Sequence, residues 1–153
     1  FSSSSLKEHG IIADLEPPPL FSREVGWVKS TFEWDSAKQR EKAIFYLGPR
    51  NSGTWFHQHY DAWNVLVHGR KRWFVLPPAA TFGSYSGPGG SGSVRKWLQQ
   101  EMPSLPLAPL ECVQEAGEVI FIPTGWHHAT LNLATSVGLA VELGPTVSAS
   151  EAR

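Results

Sequence analysis

Between residues 43 and 78 the chain alternates short runs of aromatic and β-branched residues with breaker residues. AIFYLGP, TWFHQHY, AWNVLVHG and KRWFVLPP are separated by Gly, Pro, Asn or Asp, the texture of successive strands. VHGR at 67 to 70 reads as a tight connection between two of them. The pattern then breaks at FGSYSGPGGSGS, whose Gly and Ser density predicts a loop. VRKWLQQEM follows, with Val94, Trp97 and Leu98 at helical spacing, and predicts a short helix closed by Pro103. Strand texture returns in LECVQEA, GEVIFIP, HHATLNL and SVGLAVEL, with turns at Ala116-Gly117, at PTGW and near Ala134-Thr135. About eight short strands with one helical insertion predict a mainly all-β sandwich or jelly roll, not a βαβ architecture.

Ahead of the strands, residues 1 to 33 carry a Ser run and Pro17-Pro18-Pro19 and read as an irregular arm. DSAKQREKA, from Asp35 to Ala43, predicts a short solvated helix. The expected organisation is an arm and helix over 1–43, a β core over 44–146 interrupted by an insertion at about 79–105, and a tail over 147–153.

Composition narrows the class. The 153 residues suit one domain with a real core, and seven Trp and eight Phe supply large side chains to fill it. Thirteen Lys and Arg against 14 Asp and Glu leave a net charge of -1, so the balance gives no footprint for nucleic acid. No apolar run approaches the ~20 residues of a membrane span, and no charged-then-apolar leader opens the chain. Phe1 in place of Met fits a processed or trimmed product. One cysteine, Cys112, excludes an internal disulfide and reads as a small core residue. GPGGSGS lacks the strand-to-helix context of a phosphate loop and reads as a linker.

Candidate chemistry sits in GTWFHQHYD. His57, His59 and Asp61 stand at every second position, so in an extended run all three share one face. Two such ligands on one strand supply two vertices of a coordination shell. GWHHATLNL offers the third, because His127 and His128 point to opposite faces and one can face the interior. Two His plus a carboxylate suit non-haem Fe(II); three His also suit Zn. A lone strand His is usually structural, but a His-x-His or His-x-Asp pair with a second His cluster on a later strand is less ordinary. Parity also places Lys71, Trp73 and Val75 on one face and Arg70, Arg72 and Phe74 on the other.

YLGPRNSGTWFHQH, AWNVLVHGRKRWFVLPP and PLECVQEAGEVIFIPTGWHHATLNLATSV together carry a resemblance to the jumonji C (JmjC) family of Fe(II)- and 2-oxoglutarate-dependent dioxygenases. It covers about Tyr46 to Gly144. The resemblance implies a double-stranded β-helix of the cupin type. It selects His128 over His127 as a ligand, leaving His127 outward or supporting, and it matches Lys71 to the 2-oxoglutarate lysine and Asn64 and Thr54 to positions that bond the co-substrate. Trp126 is expected to pack at the barrel mouth. Two registers remain for the first two ligands. Ser-Gly-Thr-x-x-His and the short gap from Asp61 to Asn64 favour His57 with His59, which puts His where the family has Asp or Glu; the alternative pairs His59 with Asp61.

The resemblance implies oxidation of 2-oxoglutarate to succinate coupled to hydroxylation of a protein or peptide substrate, with demethylation as the lesser option. Its rival is a catalytically weak or silent JmjC-fold scaffold, with a three-His site open to Zn. Small JmjC-only proteins, including one of the endoplasmic reticulum lumen, are similar; cytoplasm and nucleus stay open as compartments.

Overall fold

The computed structural model describes residues 43–80 and 92–142. The expected N-terminal arm, the solvated helix, most of the Gly/Ser loop and the tail lie outside them. Within the described residues, chain order runs β1 (Ala43–Gly48), β2 (Ala62–His68), β3 (Arg70–Leu76), α1 (Val94–Gln100), a 3-10 turn (Met102–Ser104), β4 (Leu110–Glu115), β5 (Val119–Ile122), β6 (His127–Asn132) and β7 (Ser136–Glu142). None of the described helices is long and apolar enough to cross a membrane.

The strands form two antiparallel sheets, one ordered β1-β7-β2-β5 and the other β4-β3-β6. This is the jelly roll that the strand pattern predicts. β2 and β3 are joined at Gly69, whose φ of +98° is open to glycine at no steric cost.

The three-stranded sheet separates two environments. Alternation sends Phe74 and Leu76 of β3 and Ala129 and Leu131 of β6 to its outer face, where they pack with Phe56, Val94 and Trp97. α1 exists to close this cluster. Ser93 caps it by accepting from the Lys96 amide at 3.5 Å, and Trp97 lies edge-on to Phe56 and Phe74 at 4.8 and 5.5 Å between ring centroids. The opposite face carries Lys71, Trp73, His128, Thr130 and Asn132, and it turns toward the four-stranded sheet.

Two sequence expectations are corrected. TWFHQHY is not a regular strand: only His57 makes a β-bridge, to His128. Ser52–His57 nevertheless runs along the free edge of β6, with the Asn132, Thr130 and His128 amides donating to Ser52, Thr54 and His57 carbonyls at 2.8 to 2.9 Å. Gly53 permits this approach, since a Cβ there would collide with the Thr130 carbonyl. Cys112 is exposed rather than in the core, because β4 is an edge strand that buries only Gln114. His127 lies on the Ala129 and Leu131 side of β6, away from the cavity, and is buried there.

Candidate functional site

His57 and His128 are exchanged partners in a narrow antiparallel pair: the His57 amide donates to the His128 carbonyl at 3.1 Å and the His128 amide donates back at 2.9 Å. Residues that exchange both bonds present their side chains on the same face, side by side. The two rings therefore meet, with centroids 4.1 Å apart. His59, two residues on, brings its ring to 5.5 Å from His57 and 4.6 Å from His128. One ligating nitrogen from each of the three lies within 4.8 Å of the others.

The backbone engages one nitrogen of each ring. His57 Nδ1 is 2.8 Å from the Trp55 carbonyl, His128 Nδ1 is 3.1 Å from the Trp126 carbonyl, and His59 Nδ1 contacts the Tyr60 carbonyl at 2.5 Å. A carbonyl only accepts, so each Nδ1 is the protonated donor and each Nε2 keeps its lone pair. Burial holds His128 neutral, pushing its pKa down to about 3, with the neighbouring His57 adding to the effect. His57 is lowered as well, chiefly by burial, while its bond to the Trp55 carbonyl and the nearby Glu142 charge oppose that and His59 reinforces it. Three clustered imidazoles whose Nδ1 atoms are engaged by backbone carbonyls, leaving Nε2 for a ligand, are a donor set that fits a divalent transition metal.

Asp61 does not join them. Its Oδ1 accepts from the Thr124 amide at 2.6 Å and the Thr124 hydroxyl at 2.8 Å, and its own amide donates to Thr124 Oγ1 at 2.9 Å. The chain bends after His59 to enter β2, so the every-second-residue geometry of a strand ends there and the carboxylate ties this segment to the β5–β6 connection instead.

The three imidazoles open onto a cavity of about 380 Å³ between the sheets. Lys71 lies along its wall, 6% exposed, with Nζ 3.4 Å from the centroid of the Tyr46 ring. Burial draws its pKa down to about 8. The other two cations of Gly69-Arg-Lys-Arg-Trp73 point away: Arg70 pairs with Glu115 and Arg72 with Glu111. Asn64 faces the cavity and its Oδ1 accepts from the Tyr46 hydroxyl at 2.8 Å; Thr54 lines the rim through a backbone that Thr130 holds. Trp126 is half-buried and is not among the cavity-lining residues.

Trp73 stacks near His128 at 5.9 Å, and its indole donates to the buried Gln114 at 2.9 Å. The Gln114 amide in turn donates to the Asn64 and Glu118 carbonyls, both at 3.0 Å. This one side chain ties β4 to β3 and β2 beneath the cavity.

Sequence reasoning missed Tyr46, Thr130, Asn132 and Glu142. The first three were within reach of period-two reading, since Tyr46 follows Ile44 by two, and Thr130 and Asn132 continue the His128 face. Glu142 closes β7 opposite Ala62, and only the sheet pairing brings it to the imidazoles.

The profile of the cupin-like domain family matches residues 12–143. JmjC domain-containing protein 8 of Homo sapiens is 40% identical over 102 residues, which are 65% of this chain and 37% of that protein. The 2-oxoglutarate and iron-dependent oxygenase JMJD4 of Gallus gallus is 34% identical over 120 residues, 69% of this chain and 27% of that protein. The bifunctional arginine demethylase and lysyl-hydroxylase psr-1 of Caenorhabditis elegans is 34% identical over 113 residues, 64% of this chain and 28% of that protein. The chain thus spans between a quarter and two fifths of the length of these relatives. With this match and the fold described above, the chain belongs to the cupin-like domain family, in its JmjC form.

Proposed function

We propose that this domain is an Fe(II)- and 2-oxoglutarate-dependent oxygenase that hydroxylates a protein side chain. The observation that carries the reading is one cavity holding both a cluster of three imidazoles and a buried lysine that pairs with no carboxylate among the described residues. His57, His59 and His128 would hold the metal through Nε2. Lys71 would receive the far carboxylate of 2-oxoglutarate, a charge-assisted bond strengthened by the dry wall around it. Asn64, oriented by Tyr46, and Thr54 would complete the co-substrate pocket. Bound together, metal, 2-oxoglutarate and oxygen supply the oxidation of a substrate C–H bond, with succinate and carbon dioxide released.

A protein substrate is supported by relatives whose names record action on arginine and lysine residues. A second reading is a weakly active or silent domain whose three-His centre takes Zn. The engagement of Asp61 with Thr124 supports it, because that carboxylate is committed to another contact.

The deciding experiment measures metal content of untagged protein, then succinate formation with Fe(II) and 2-oxoglutarate. Stoichiometric iron with substrate-independent or substrate-stimulated succinate supports the oxygenase. Zn retention without 2-oxoglutarate binding supports the silent domain.

A further inference from the structure

Imidazole binds a metal as an uncharged ligand, so three of them leave a divalent cation uncompensated. Carboxylates normally carry that charge at iron sites of this geometry, and Asp61 is engaged elsewhere. Among the described residues, one other carboxylate reaches the same cavity. Glu142 ends β7, paired across from Ala62 of β2, and its side chain lines the cavity with His57, His59 and His128. The Tyr60 amide donates to Glu142 Oε1 at 3.4 Å, which holds the carboxylate beside the residue that follows His59. Its negative charge is felt at His57. Apart from that amide, no hydrogen-bond partner or ion pair for Glu142 appears among the described residues.

We infer that Glu142 supplies the anionic charge of the three-imidazole centre, taking from β7 the part that a ligating carboxylate beside His57 would otherwise play. The inference rests on the proposed metal site and deepens it. Glu142 stands at the end of the last described strand, remote in sequence from both His clusters. Its approach depends on β7 lying between β1 and β2, which carries the carboxylate across the sheet to the point where the chain leaves His59. The site that results is a three-nitrogen, one-anion centre assembled from three separate segments.

The test is Co(II) titration of the purified apo-protein by calorimetry and visible absorption, comparing wild type, Glu142→Gln, Glu142→Asp and His128→Ala. Gln keeps the acceptor for the Tyr60 amide and removes only the charge. Loss of about tenfold or more in Co(II) affinity is expected for Glu142→Gln, the scale seen when groups that support a metal's ligands are removed. Glu142→Asp should recover part of that loss, and the apo-protein's Tm should be unchanged in both. Wild-type affinity in Glu142→Gln, with His128→Ala devoid of binding, overturns the inference and leaves the metal site standing. Wild-type affinity in His128→Ala overturns the metal site itself, and the inference with it.

Discussion

The Lys71 ammonium rests over the face of Tyr46, Nζ 3.4 Å from the ring centroid, while the Tyr46 hydroxyl donates to Asn64. A buried cation is thus held by a π face and by no carboxylate among the described residues, an arrangement that leaves its charge available to a dicarboxylate ligand. Burial also raises Tyr46, to about 12, so the phenol stays protonated and donating throughout the working range.

Lys71 should destabilise the apo-protein. Its folded pKa of about 8 lies below the ordinary 10.5, so between those values the unfolded chain binds a proton that the folded chain lacks, and stability rises with pH across that window. Lys71→Met should therefore be more stable than wild type at pH 7, by up to about 3 kcal/mol before the Tyr46 face is counted. The gap should shrink from pH 8 toward 10.5 in urea denaturation. The same variant should lose 2-oxoglutarate binding, and wild-type binding should weaken above pH 8 as the amine deprotonates.

Asp61 and the histidines should separate cleanly. His57→Ala, His59→Ala and His128→Ala are each expected to abolish Co(II) binding. Asp61→Ala should keep it while losing about 1–2 kcal/mol of stability, through the two acceptor contacts to Thr124. Tight metal binding in His57→Ala with none in Asp61→Ala would transfer the ligand role to the carboxylate.

Gly138 should behave as part of the co-substrate wall. It lies directly opposite Tyr46 in the sheet, and a Cβ there would collide with the Tyr46 hydroxyl and the Val65 carbonyl. Gly138→Ala should cost about 1–3 kcal/mol and displace the ring. A matching fall in 2-oxoglutarate affinity, with Co(II) affinity retained, is the outcome to look for.

Gln114→Leu should be more costly than its position on an edge strand suggests. It strands the buried Trp73 indole, at about 1–3 kcal/mol, and removes one bond each from the Asn64 and Glu118 carbonyls. Chemical denaturation followed by tryptophan emission reads both the loss and the changed Trp73 environment.

The strands were legible wherever one side of the chain faces a core. In RKRWFVL period two separates Lys71 and Trp73, which line the cavity, from Phe74 and Leu76, which enter the core. TWFHQHY was legible as chemistry and misread as a strand, because its partner is a single edge and its path is set by Gly53 and the bend at Asp61 rather than by its own pattern. Cys112 misled because β-propensity gives no information on whether a strand lies at an edge. Glu142 was invisible for a simpler reason. Proximity between residues 57 and 142 is a property of strand order, and nothing local encodes it.

Phe56 and His57 are consecutive, yet one is sealed beneath α1 and the other faces the cavity with its backbone doubly bonded to His128. The imidazoles are thus fixed by the hydrophobic core on one side and by the sheet on the other. A cation entering such a receptor finds its coordination sphere standing, and no chain has to order around it. Uptake should then leave far-UV circular dichroism unchanged and carry a heat-capacity change close to zero, the signature of binding uncoupled from folding.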